Sequence, residues 1–363
     1  MFRDNDKVSA REATFFIIAS LIEVGTLNFS RIATREVGSD AWLALIFSNL
    51  FVLPAIFIMV KLGQRFYRHG FGEYSRIIAG TAIGWILSAA LVVYWLFVSA
   101  RVLRAVSNVI MLTLLDKTPM EVIGFSFLLV AAYLCWYGIE PLCRISVLIC
   151  IVVMPTIIIM CLSVINEFKI DNLLPFLTEG PLPVLKFGFK EIGELTEMTF
   201  FLFLIPFIDK SGKAMKVALC ALLIAFLFIF FVLVLTIGVM GVDIVKFQLL
   251  PPITLLESAE FIGIFIERLG VVFTGLWIIM IFPTICGLMF AAALVLSQMF
   301  GFKSHRPFII PLVPLIYIIS AIPKGMVETQ DFFEFLIPYG IVMLLFVPLL
   351  LYIIAIVRGV KDT

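Results

Sequence analysis

The feature that most constrains this chain is a series of long apolar runs without a charged residue. Residues 217–242 form one such run of 26, and about 20 suffice for a helix to cross the hydrocarbon core of a bilayer. Of the 363 residues, 63% are hydrophobic and only 14% are charged, whereas soluble domains carry about 25% charged residues. The chain lacks the polar groups to cover a water-soluble surface, so we predict an integral membrane protein.

Ten segments fit membrane-spanning helices, and we predict an all-α polytopic membrane protein with ten transmembrane helices. Lipid admits only helices or closed barrels, and the alternating pattern of barrel strands is absent. The connections are too short to bury a separate soluble core, so residues 1–363 are expected to form a single membrane domain in the lipid bilayer. The predicted spans are residues 13–33, 41–60, 81–115, 122–139, 145–166, 187–208, 217–242, 269–302, 307–323 and 335–357.

Basic residues in the connections predict the orientation. When the N-terminus is placed in the cytoplasm and the loops alternate, fifteen Lys and Arg fall on the inner side and nine on the outer side. Cytoplasmic loops carry the excess of basic residues in membrane proteins. We therefore expect both termini in the cytoplasm.

Several classes of function are disfavoured by composition. The 26 Lys and Arg nearly balance 25 Asp and Glu, so no basic surface for nucleic acid is expected. Only His69 and His305 are present, and the six cysteines form no CxxC pair, so we expect no metal site, no cofactor and cysteines that act as small core residues. No nucleophile–base pattern appears, so we expect no catalytic residues and no enzyme activity.

A few charged residues fall near the middle of predicted spans, where charges are costly and face protein or water. Glu23 lies ten residues from either end of the first span, and Glu197 is near the middle of the sixth. Arg101 is near the middle of the third span, with Arg104 one turn farther along. Two interpretations remain open: an ion pair that only holds helices together, or a polar centre that binds a ligand or ion.

The sequence around both acids predicts interrupted helices. Residues 23–30 include Gly25, Asn28 and Ser30 within an otherwise apolar span, and residues 191–197 include Gly193 and three glutamates. Glycine costs about 1 kcal/mol relative to alanine within a helix. Paired breaks in spans one and six of ten indicate an inverted-repeat transporter fold, with repeats at about 11–166 and 185–358. A plain kink is the alternative for either break.

Several short runs resemble the B subunits of spore germination (germinant) receptors, within the amino acid–polyamine–organocation superfamily. Their order and spacing carry the resemblance, which extends along the whole chain. The runs are Asp40-Ala41-Trp42, Lys117-Thr118-Pro119, Asn172-Leu173-Leu174-Pro175 followed by Glu179-Gly180, Ile264-Phe265-Ile266-Glu267-Arg268 and Trp277-Ile278-Ile279.

The resemblance implies a LeuT-like 5+5 inverted repeat with broken first and sixth helices, in the inner membrane of an endospore. It also implies a complex with an A subunit and a lipoprotein C subunit, and a germinant such as an amino acid bound between spans one, three, six and eight. With the midplane charges included, the candidate ligand-binding residues are Glu23, Val24, Gly25, Thr26, Tyr94, Val98, Arg101, Glu194, Glu197, Trp277 and Thr284. Arg104 matches a family arginine and is the candidate charge-balancing residue.

The chain departs from the family pattern at three positions. Relatives tend to read Gly-x-Gly-x-Leu-x-x-Pro-Arg in the first span, whereas here Glu23 replaces the first glycine and Ser30 the proline. Thr196 stands where a glycine often precedes the sixth-span glutamate. Because a glycine lets a ligand carboxylate approach the backbone, Glu23 argues against an identical carboxylate pose. Either the germinant differs from the common amino acids, or Glu23 pairs with Arg101.

The sequence therefore leaves two alternative functions open. In the first, which the resemblance favours, the chain is a nutrient sensor that signals to partner subunits. In the second, it is a proton-coupled amino-acid or amine transporter of the same fold, with Glu23 or Glu197 as the proton carrier.

Overall fold

The computed structural model describes residues 7–178, 180–257 and 269–361, with the side chains of 24–26 and 326–327 left out. Within these ranges the regular structure is helical, apart from one isolated bridge between Val8 and Ile208. The helices, numbered in chain order, are α1 (Ala10–Leu21), α2 (Val24–Val37), α3 (Ala41–Arg65), α4 (Phe71–Ala79), α5 (Thr81–Thr113), α6 (Met120–Tyr137), α7 (Ile139–Leu162), α8 (Pro181–Lys190), α9 (Phe201–Leu204), α10 (Ala214–Met240), α11 (Val242–Val245), α12 (Pro251–Glu257), α13 (Leu269–Met299), α14 (Arg306–Ala321), α15 (Met326–Phe333), α16 (Leu336–Ile341) and α17 (Val347–Val357).

Among the described residues, seven helical stretches are long and apolar enough to cross a membrane. Two shorter apolar stretches, Thr196–Phe207 and Arg306–Ala321, belong to the sixth and ninth predicted spans. The first span is divided into α1 and α2, and the tenth is continued from α16 into α17 by a π-helical turn, Val342–Phe346. The chain is thus an all-α integral membrane protein with the ten predicted spans, while the limits of the two repeats stay a prediction.

The first span breaks at Ile22 and Glu23. The capping box of Ser9 and Glu12 starts α1, which ends at Leu21, and Glu23 has an extended backbone (φ −101°, ψ −171°). The break is narrower than the predicted run 23–30, because α2 begins at Val24 and includes Asn28 and Ser30. A single glycine lowers the stability of a helix by only about 1 kcal/mol. That is too little to unwind the first two turns of α2, which pack against neighbouring helices.

The sixth span is interrupted over a longer stretch, as its sequence predicts. Helix α8 gives way to two 3₁₀ turns, Glu191–Glu194 and Thr196–Phe200, before the short α9. Leu195 separates the two turns with a non-helical backbone (φ −82°, ψ 45°). Two broken helices therefore face each other across the bundle, each with backbone groups that need partners from elsewhere.

The α1 end of the molecule is tightly closed. Phe16 stacks on Phe200 with ring centroids 5.4 Å apart. The backbone N–H of Val8 donates to Phe207 O at 2.8 Å, and the N–H of Asp209 donates to Val8 O at 3.0 Å. The start of α1 is thereby fastened to the end of the sixth span, and α13, the most buried of the long apolar helices, packs alongside.

Three connections contain helices that hydropathy does not predict, and one of these helices is α15, between the ninth and tenth spans. Helix α4 lies in the connection 64–80 and packs against α5, and α12 lies in the connection 243–260 and packs against α13. The N–H of Gly72 at the start of α4 donates to Gln298 Oε1 at 2.9 Å. Such short amphipathic helices gain their stability from packing, so no apolar run marks them.

We predict that Gly340→Ala destabilises the protein, because the tenth span crosses the sixth-span break there at very close range. A Cβ at Gly340 would collide with the Gly193 carbonyl and lie 2.5 Å from Tyr94 Oη. Overpacking of this kind costs about 1–3 kcal/mol, and thermal unfolding of the purified protein measures it. Gly275→Ala is the matched control, since a Cβ at this α13 position meets nothing within 4 Å. Equal melting temperatures for the two variants would contradict the close contact between Gly340 and the sixth-span break.

Candidate functional site

A cavity of about 350 Å³ lies where the two broken helices face the third span. Its walls come from α2, α5, the Glu191–Glu194 turn and α15, so it extends from the breaks away from the closed α1 end. Three of the predicted ligand-binding residues line it: Glu23, Arg101 and Glu194. A volume of this size is at the lower end of the range for small-molecule sites.

Arg101 joins the two broken helices at the floor of the cavity. Its Nη2 donates to Glu23 Oε1 at 3.2 Å, and its Nη1 donates to Glu194 Oε2. The Glu23 side chain is 5% exposed and that of Arg101 18%, so the pair is poorly hydrated. The pairing of Glu23 with Arg101, one of the two alternatives that the sequence left open, is observed, and one guanidinium contacts two carboxylates.

The third span also holds the sixth-span break in place. Tyr94 Oη lies 2.8 Å from Thr196 Oγ1 and donates to Gly193 O at 3.5 Å. One residue along, Trp95 Nε1 donates to Thr199 Oγ1 at 2.8 Å. Since lipid offers no hydrogen bonds, an unwound segment needs such partners from a neighbouring helix.

The eighth span, α13, does the same for the first break. Trp277 Nε1 donates to Glu23 O at 3.3 Å, and Thr284 Oγ1 donates to Ser20 O at 3.1 Å. Ser20 lies in the last turn of α1, where a helix leaves its carbonyls without intrahelical partners, and Glu23 lies in the break itself. Thr284 and Trp277 therefore stabilise the break rather than line the cavity.

Several predicted ligand-binding residues lie behind the cavity wall. Tyr94, Val98, Trp277 and Thr284 are at most 1% exposed and are not among the cavity-lining residues. The side chains of residues 24–26, which include the predicted Val24, Gly25 and Thr26, are outside the described part, as is the family-like run 264–268. Contact of any of these residues with a ligand stays a prediction.

Glu197 departs from the face expected for the three sixth-span glutamates. Glu191 and Glu194 line the cavity, but Glu197 follows the turn at Leu195 and is buried to 1% exposure outside the lining. Its Oε1 has no hydrogen-bond partner. The spacing i, i+3, i+6 places side chains on one face only while the helix is continuous.

Arg104 does not take part in the cluster at the breaks. It is half-buried, and the acidic side chains that face it are Glu121 and Glu328. Arg101 contacts the midplane acids instead. We expected Arg104 to balance the midplane acids, but in the structure it lies beside other acidic side chains. It is one helical turn beyond Arg101, and one turn moves a side chain about 5 Å along the axis.

Sequence reasoning missed part of the cavity wall. Asn28 and Arg31, one turn apart on α2, both line it, and Arg31 Nη2 donates to Gln330 Oε1 of α15 at 2.5 Å. Helix α15 falls in the connection between the ninth and tenth spans, where nothing in the hydropathy distinguishes it. The polar residues Asn28 and Arg31 in an apolar span were the available signal.

Ten spans with broken first and sixth helices, and a cavity at the breaks, define a membrane protein with the LeuT transporter fold. Two solved structures share it. The nucleobase-cation-symport-1 family transporter Mhp1, in a closed conformation with bromovinylhydantoin bound, has a TM-score of 0.68 at 13% identity over 93% of this chain and 77% of that one. A Na⁺-coupled sialic acid symporter, in a substrate-bound outward-open state, has a TM-score of 0.63 at 13% identity over 94% and 78%.

Within this fold the chain belongs to the family described as "Spore germination protein", which it matches over residues 7–330. Spore germination protein YndE of Bacillus subtilis (strain 168) is 29% identical over 90% of both chains. Spore germination protein A2 of the same organism is 25% identical over 96% of this chain and 95% of its own, and protein B2 is 21% identical over 98% and 97%. The family resemblance carried by the sequence is confirmed.

We predict that Arg101→Gln strongly destabilises the protein, because it leaves Glu23 and Glu194 without their shared cation. Removing one partner of a buried pair costs about 3–5 kcal/mol. The triple variant with Glu23→Gln and Glu194→Gln should recover part of that loss. Thermal unfolding of the purified protein in detergent measures both effects.

Arg144→Gln is the control for this experiment. Arg144 pairs with Glu140, but its side chain is 67% exposed, so its loss should cost under about 1 kcal/mol. If Arg101→Gln behaved like Arg144→Gln, the Arg101 bridge would not hold the two broken helices together.

Proposed function

We propose that this chain is the nutrient-sensing subunit of a spore germination receptor and binds a small germinant in the cavity at the helix breaks. The observation that carries the proposal is the Arg101 bridge, because it ties both broken helices to the floor of that cavity. Family membership supports the germination role. We place the chain in the spore inner membrane with both termini in the cytoplasm.

The proposed signal starts with competition for the groups of the bridge. A ligand that contacts Glu23, Glu194 or Arg101 changes how strongly α2 and α8 are held together through the third span. Ligand binding shifts a conformational equilibrium only by its difference in affinity between the two states. A bridge that is intact in one state and open in the other supplies that difference.

In this proposal the chain transmits its signal to other proteins and does not convert its ligand chemically. The chain acts without enzymatic activity and passes its change of state to A and C subunits of the receptor. The described connections carry only short helices such as α4 and α12, so the partner subunits supply the soluble domains.

A second function, proton-coupled transport of an amino acid or amine, is favoured by Glu197. This carboxyl group is buried, and one of its oxygens has no hydrogen-bond partner. A buried carboxyl in a transporter bundle is a natural proton carrier. The LeuT fold suits both functions, so experiment separates them.

The sensing proposal predicts that spores lacking this chain lose their response to at least one nutrient. A germination screen with amino acids, amines and nucleosides, read as the fall in optical density, identifies that nutrient. Restoring the chain with Glu23→Gly should change which nutrients act, because it frees Arg101 and the backbone at the break. Glu73→Gly, on α4 and away from the cavity lining, is the control. An unaltered response of the deletion spores would refute the sensing role.

The transport alternative predicts uptake of the identified nutrient into liposomes that contain the purified chain and carry a proton gradient. Glu197→Gln removes the titratable proton at almost constant volume, so it should abolish uptake while ligand binding persists. The spore response to the same variant separates the functions: sensing without proton transfer tolerates the change. Gradient-driven uptake by the original chain would establish transport.

A further inference from the structure

The cavity carries an excess of negative charge. Its acidic lining residues are Glu23, Glu36, Glu191, Glu194, Asp331 and Glu334. Its basic lining residues are Arg31, Arg35, Arg101 and Lys190. Carboxylates therefore outnumber cations, and a cleft with low-dielectric walls concentrates ions of the opposite sign.

The excess is largest at the floor. Arg101 is shared between Glu23 and Glu194, and Glu191 lies one 3₁₀ turn from Glu194. Two of the other basic residues are engaged near the rim: Lys190 Nζ lies 3.7 Å from Glu334 Oε1, and Arg35 Nε donates to the Lys246 carbonyl at 2.6 Å. At the floor, two carboxylates thus share one guanidinium, and a third carboxyl group, that of Glu191, lies one 3₁₀ turn from Glu194.

Asn28 supplies independent evidence for a ligand at this place. It is only 8% exposed and lines the cavity, yet its Oδ1 has no hydrogen-bond partner among the residues that the structure describes. A buried acceptor without a partner costs about 1–3 kcal/mol. That cost is removed when a ligand donates a hydrogen bond, and an ammonium group offers three donors and no acceptor.

Arg31 indicates the direction in which such a ligand lies. It is one turn farther from the floor than Asn28 on α2, and within the described part of the chain its buried Nε has no hydrogen-bond partner. Donors are thus available toward the mouth of the cavity, and acceptors at the floor. A molecule with a cationic end and a carboxylate end fits with the cation inward.

We propose that the ligand of this cavity carries a cationic nitrogen at the end of its carbon chain, a terminal ammonium or guanidinium distinct from an α-amino group, which binds among Glu23, Glu194 and Asn28. A basic amino acid or a small diamine has this chemistry. This inference rests on the proposed function, because it assigns the chemical class of the sensed molecule. It also gives Glu23 a role: a carboxylate stands at the break to receive a cation.

Calorimetric titration of the purified full chain in detergent micelles at neutral pH tests the proposal with L-lysine, L-norleucine, L-glutamate and putrescine. L-Lysine and L-norleucine share the amino-acid backbone and a side chain of similar length but differ in the terminal ammonium. We expect L-lysine to bind at least tenfold more tightly than L-norleucine, and putrescine to compete with it. Equal affinities, tighter binding of L-glutamate, or no binding of either amine to the folded protein would overturn the proposal.

Variants locate the binding. Asn28→Leu and Glu194→Gln should each weaken L-lysine binding at least fivefold and L-norleucine binding less. Asn49→Leu is the control, since Asn49 lies on α3 outside the cavity lining and donates to Leu45 O. Two independent variants keep the test decisive if one fails to fold, and unchanged L-lysine affinity in a folded variant counts against the site.

The two proposals fail separately. Binding of L-norleucine without any preference for L-lysine overturns the cationic class and leaves the sensing role intact. The spore screen decides the sensing role without reference to charge.

Discussion

The requirement that every backbone polar group in lipid finds a partner governs this structure. A helix that breaks in the bilayer exposes carbonyl and amide groups, and each break here is held by one long neighbouring helix. Trp277 of α13 donates to the carbonyl of Glu23 in the break, and Thr284 donates to that of Ser20 at the end of α1. Tyr94 and Trp95 of α5 bond to the sixth-span break. The cavity exists because hydrogen bonds from these two helices offset the free-energy cost of unwinding the first and sixth spans in lipid.

Arg101 adds an electrostatic tie to this scaffold. It is on the same helix as Tyr94, and it reaches both breaks through Glu23 and Glu194. Both broken helices are therefore tied to a single side chain of α5. A molecule that competes for these carboxylates contacts groups that hold both broken helices at once.

Much of the fold could be predicted from the sequence, because apolar runs report burial in lipid directly. The breaks in spans one and six were visible as charges and glycines within such runs. Helices α4, α12 and α15 were not, since packing rather than local composition stabilises them. At the site, the pairing of Glu23 with Arg101 followed from their depth. The burial of Glu197 did not, because spacing rules assume a continuous helix and Leu195 interrupts it.

The fastening of Val8 to Phe207 and Asp209, with Phe16 stacked on Phe200, has a consequence for permeability. A pocket sealed at its base can be occupied and vacated from one compartment while the other stays isolated. With the termini in the cytoplasm as proposed, nutrient contact would occur without a solute path to the interior. Under the proposed sensing role, a ligand could then be detected on one side of the membrane without opening a path for solutes to the other.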